Sequence, residues 1–130
     1  MVEQIKLTRE AGPIKLSYGV DGIMYAYISD DAKNQVEIQK LASEIIGEMT
    51  NKEKIPLLVE YSNFVLPNEE AQDYWAKEES SPYTSAEAYI VNGLALKLIF
   101  NIFIKVKKPP RPTKIFDKRD AAVTWLKTYL

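Results

Sequence analysis

Hydrophobic and polar positions change rhythm several times along the 130-residue chain. Ile5 and Leu7, then Ile14, Leu16 and Tyr18, alternate with polar residues, and Gly12-Pro13 interrupts them. This pattern predicts a short or irregular first strand and a regular second one. Gly19-Val20-Asp21-Gly22 is a turn, and Ile23–Ser29 returns as the partner strand of a hairpin. From Ala32 to about Met49 the spacing becomes helical. Ile38, Leu41, Ala42, Ile45, Ile46 and Met49 form the predicted inner stripe, and Asp30-Asp31 the predicted start. The continuous apolar run Ile55–Tyr61 predicts a strand buried on both faces, as in parallel sheets.

Asn68, Glu69 and Glu70 open a second helix, with Asn68 as cap, the two glutamates suited to the first turn, and Ala71, Tyr74 and Trp75 inward. Pro82 limits it. Ala86–Val91 predicts another buried strand, closed by Asn92-Gly93. Leu94–Val106 follows as a helix whose polar positions, Lys97, Asn101 and Lys105, make one narrow stripe on an otherwise apolar cylinder. Pro109, Pro110 and Pro112 stop it. Thr113–Phe116 predicts a last strand, and a last helix starts at Asp117, which together with Asp120 suggests a capping box; Ala122, Trp125, Leu126 and Tyr129 face the core. After the hairpin every strand precedes a helix. The expectation is a single α/β domain over residues 1–130, with a mixed, mostly parallel sheet and about four helices packed on it.

Composition narrows the chemistry. Cysteine and histidine are both absent. Disulfides, thiolate nucleophiles, His-based triads and Cys- or His-ligated zinc are thereby excluded. No catalytic residue, cofactor or metal ligand is assigned, and the expectation is a protein that is not an enzyme. The chain starts without the long apolar core of a signal peptide, and the run Leu94–Ile104 is too short to span a bilayer, so a cytoplasmic protein is expected.

Charge is unevenly placed. Net charge is -1, yet residues 1–93 carry 16 acids against 8 bases and residues 94–130 carry 2 against 9. Lys107, Lys108, Arg111 and Lys114 lie on the proline-stiffened run after the apolar helix. They read either as a solvated connector or as an anion or lipid-headgroup site. Nucleic acid is not expected as a partner, because the chain is acidic overall and carries no recognised motif for it.

The order of elements, with a hairpin, a strand ending in Glu60-Tyr61-Ser62-Asn63, a helix, a strand ending near Gly93 and another helix, resembles the STAS domains of the SpoIIAA type. The phrases Val59–Asn63, Glu69–Tyr74 and Lys108–Phe116 are similar to a bacterial branch described as STAS/SEC14-like. The resemblance implies a SpoIIAA-like fold and a regulatory, protein-binding role. In STAS antagonists a phosphorylated Ser or Thr lies at the start of the helix after the central strand. Here that place is Pro67-Asn68-Glu69-Glu70, without a hydroxyl, so the resemblance does not carry over a phosphoacceptor.

A helix in this architecture keeps one side toward water, so part of the apolar surface of Leu94–Val106 needs a cover. Leu96, Phe100, Phe103 and Ile104 are the residues expected at that interface. The expected cover is a second copy of the chain, in a homodimer. The alternatives are a regulatory protein partner, a lipid or an anionic small molecule, or complete burial of the helix within the molecule.

Overall fold

The computed structural model describes residues 5–29, 36–63 and 67–130. Among these, six strands form one sheet in the order of the chain: β1 (Ile5–Ala11), β2 (Ile14–Gly19), β3 (Met24–Ile28), β4 (Ile55–Tyr61), β5 (Thr84–Ile90) and β6 (Thr113–Phe116). β1, β2 and β3 are antiparallel neighbours, while β3, β4, β5 and β6 run parallel. The mixed α/β sheet with its N-terminal hairpin is the one expected. β1 is longer than anticipated, but it is exposed along most of its length and its register shifts between Ile5 and Leu7. That irregularity is one way in which edge strands avoid further pairing.

Among the described residues four α-helices pack on the sheet: α1 (Val36–Met49), α2 (Glu69–Trp75), α3 (Leu94–Lys107) and α4 (Arg119–Lys127). The layers are unequal. Side chains of α1, α2 and α3 join Ile14, Leu16, Met24, Leu57, Val59 and Tyr89 in one core. Beneath the other face, Ala122 and Leu126 of α4 meet Ile23, Tyr25, Leu58, Ala86 and Ala88 in a smaller one. The alternation of β4 and β5 explains this division, since successive residues point to opposite faces. Leu57 and Val59 go to the first core and Leu58 to the second. Ala86 and Ala88 are small because the α4 helix lies close above them, and their neighbours Glu87 and Tyr89 are large because they project to the roomier side.

Several local expectations need correction. The start of the first helix, with Asp30-Asp31, lies outside the described residues. Leu41 is not a core position but 38% exposed. Asn68 does cap α2, its Oδ1 accepting from the Ala71 amide at 2.8 Å. Asp117 does not cap α4. The N-cap is Lys118, without a side-chain cap bond, and Asp117 accepts from Lys97 Nζ at 2.9 Å instead. That pairing holds the Asp117 carboxyl below the usual carboxylate range. Tyr129, expected inward, is exposed.

Candidate functional site

Three features could carry function: the outer side of α3, the basic loop after it, and a cavity beneath α1. On α3 only Phe100 is fully buried. Phe103 and Ile104 are half-buried against the same core, with the Phe103 ring stacked on Trp75 at 4.7 Å and Phe100 edge-on to Trp75 at 6.3 Å. Three of the four interface residues expected from sequence therefore point into the molecule, and the fourth, Leu96, sits at the border with 36% exposure. The outward stripe is Leu94, Leu98, Ile102 and Val106, four residues apart, with Ile99 beside it. These five side chains are between 44% and 74% exposed. An aromatic periodicity marks the buried side of this helix, whereas an aliphatic one marks the open side. Both were apolar in the sequence, so hydrophobicity alone did not distinguish them.

The basic loop is divided by the fold. Arg111 is buried, and its Nε donates to Glu87 Oε2 at 2.7 Å. Its Nη2 donates to the Trp75 carbonyl at 2.8 Å, and its guanidinium lies 5.5 Å from the Trp75 ring centroid. The arginine thus closes the end of α2, where carbonyls lack helical partners, and neutralises a carboxylate in the core. It is therefore neither of the two things the sequence offered for it, a solvated connector residue or a surface anion ligand. Lys107 Nζ is 2.6 Å from Asp73 Oδ1, on α2. Lys114 lies over the Phe116 ring at 5.4 Å. Lys108 is exposed and ends α3 in a left-handed conformation, its amide donating to the Ile104 carbonyl. The loop therefore fastens α3, α2 and β5 together before it presents any charge. The stiff prolines suit that role, and the Pro112 carbonyl accepts from the Glu87 amide at 2.9 Å, extending the β5–β6 pairing.

The cavity was not foreseen. It has a volume of about 110 Å³ and lies between α1 and the sheet, with walls from Ile14, Leu16, Ala26, Ala42, Ile46 and Val59. Its polar edge holds Glu87, Tyr89, Thr84 and Tyr61. Glu87 Oε1 accepts from the Tyr89 hydroxyl at 2.6 Å, and Oε2 accepts from Thr84 Oγ1 at 2.9 Å as well as from Arg111. Tyr89 in turn accepts from Trp75 Nε1 at 2.7 Å. Burial, with the Glu87 charge adding to it, pushes the Tyr61 and Tyr89 hydroxyls well above the usual tyrosine range. The one clue in the sequence was Glu87, an acid in the middle of a strand expected to be buried.

On the opposite face an open depression beside α4 is bordered by Lys15, Tyr25, Tyr27 and the ion pair of Arg119 with Glu60. Among the described residues no group of three or more acids is placed to hold a metal ion, and no helix is long and apolar enough to cross a membrane. Asn68, Glu69 and Glu70 are exposed at the start of α2.

Comparison with known proteins bears on the fold. A family model described as a domain of unknown function, DUF7793, matches residues 17–130. No curated protein sequence matches the chain. Among solved structures, an uncharacterized protein of the DUF3478 family with a SpoIIAA-like fold, from Shewanella loihica PV-4, is similar over 97% of this chain and 96% of its own, with a TM-score of 0.50 and 12% identity. A protein of unknown function from Arthrobacter sp. FB24 aligns over 85% of this chain and 96% of its own, at 20% identity and a TM-score of 0.30. The first likeness places the architecture among SpoIIAA-like folds, in agreement with the strand order described above.

Proposed function

The chain belongs to the DUF7793 family, and from that membership and its SpoIIAA-like fold we propose a non-catalytic STAS-like interaction domain that pairs with a second copy of itself through the outer side of α3. The observation that carries this reading is the stripe Leu94, Leu98, Ile102 and Val106. Monomers rarely expose a contiguous apolar strip of this kind, because each large aliphatic side chain left in water forgoes about 1.5–3 kcal/mol of burial. Repetition along one helix also suits a two-fold contact, in which one patch meets its own copy. The interface residues are therefore revised from the inward Phe100, Phe103 and Ile104 to the aliphatic stripe.

The start of α2 acts without phosphorylation in this reading. Asn68 is engaged as a cap, and Glu69 and Glu70 supply fixed negative charge next to the helix N-terminus. The chain lacks cysteine, which makes a direct test available. Ile102→Cys, mildly oxidised, is expected to give a disulfide-linked dimer, and Thr124→Cys on α4 is not. Equal and slow cross-linking of both would remove the support for a specific contact.

A second reading is favoured by one observation: no acidic residue occurs from Leu94 to Phe116, so only cations flank the apolar stripe. An anionic lipid surface would meet that combination. Arg111 and Lys107 are already engaged within the fold, which leaves Lys105 and Lys108 as its main headgroup contacts. Flotation with anionic vesicles separates the two readings, since salt-sensitive uptake by the monomer belongs only to the second.

A further inference from the structure

We infer that the cavity beneath α1 is a binding site for a small, neutral, mainly apolar molecule carrying one hydrogen-bond donor, such as a short alcohol. This goes beyond the pairing proposed for α3, on whose outer side it does not depend. Size sets the first limit. At about 110 Å³ the space is smaller than the roughly 150 Å³ apolar cavity that accommodates benzene, with its six heavy atoms, which points to an occupant of about four or five heavy atoms. The walls set the second. Most of the lining is aliphatic or aromatic, and native interiors leave few voids larger than a water molecule.

The polar edge sets the sign of the ligand. Among the described residues no lysine or arginine lines the cavity, and Arg111 is engaged with Glu87, Trp75 and Lys77. Glu87 is the charged group among the described residues of the lining. An anionic head would meet that carboxylate in a desolvated place, where Arg111 is already paired with Glu87 and no further cation of the described lining offsets the cost. A donor is in a different position. Each carboxylate oxygen can accept about two hydrogen bonds. Among the described residues Oε2 takes two, from Thr84 and Arg111, whereas Oε1 takes one, from Tyr89. The remaining lone pair on Oε1 suits a hydroxyl or an N–H on the occupant. A fatty-acid carboxylate is thereby disfavoured, and so is a phosphate.

Three probes of about five heavy atoms each test this: 1-butanol, which donates; butanone, which only accepts; and propionate, which is anionic. Each is titrated into the full chain and followed by amide and methyl chemical shifts. Saturable shifts are expected with 1-butanol at Leu16, Ala26, Ala42 and Val59, binding at least tenfold weaker with butanone, and none with propionate. Ala42→Phe fills the space and should abolish the shifts. Ala42→Leu is a milder filler, expected to keep the fold and weaken binding at least fivefold. Absence of saturable shifts, equal affinity for the carboxylate, or unchanged binding by a folded Ala42→Leu variant would each overturn the assignment.

Discussion

Glu87 and Arg111 lie 24 positions apart and meet in the interior at 2.7 Å. Burying such a pair is costly, and its net value over an apolar pair is small, but removing one member leaves a charge stranded. Arg111→Met is therefore expected to lower stability by about 3–5 kcal/mol in urea unfolding. Adding Glu87→Gln to it removes the stranded charge and should recover much of that loss, whereas simple addition of the two effects would contradict the account. The neighbouring tyrosines make the same network sensitive to alkali. Tyr61 and Tyr89 hold their protons more tightly in the folded than in the unfolded chain. Their contribution is thus complete below the ordinary tyrosine value near 10 and is withdrawn as pH rises from there toward their raised folded values. Stability should stay level up to about pH 9.5 with respect to these groups and then fall. Absorbance at 295 nm should show both rings ionising only as the fold melts. Ionisation near pH 10 in a folded chain would contradict their burial.

At the scale of elements, α3 separates two kinds of apolar residue. Phe100→Ala removes a ring packed on Trp75 and Tyr89 and should cost about 3–5 kcal/mol. Ile102→Glu, one half-turn away, should change the stability of the separated chain by no more than about 0.5 kcal/mol. Comparable losses from the two substitutions would mean that the helix is buried differently. The contrast also marks how far the sequence could be read. Strands β4 and β6 and helices α2 and α3 were recognisable within a few residues, because their period and their Pro, Gly and Asn punctuation are local. The facing of α3 was not, since nearly every side of it is apolar and only its neighbours decide which side is covered. Arg111 misled for a related reason: a basic residue among prolines looks like surface, and the buried acid that takes it in belongs to a different strand. The cavity is a property of three elements together, and no single stretch encodes it.

For the whole molecule, the described residues clothe the sheet with three helices on one face and one on the other, and the aliphatic side of α3 is left exposed. The SpoIIAA-like architecture leaves that helix outermost and next to the edge strand β6, in reach of another molecule. The claim that this surface is an interface between two copies is tested most directly by sedimentation equilibrium over a range of protein concentrations. The mass is expected to rise from 14.9 kDa toward twice that value with concentration, and a Leu98→Glu/Ile102→Glu variant to stay at 14.9 kDa with its unfolding midpoint unchanged. A wild-type chain that stays at the single-chain mass throughout, or a variant that dimerises as well as the wild type, would contradict it.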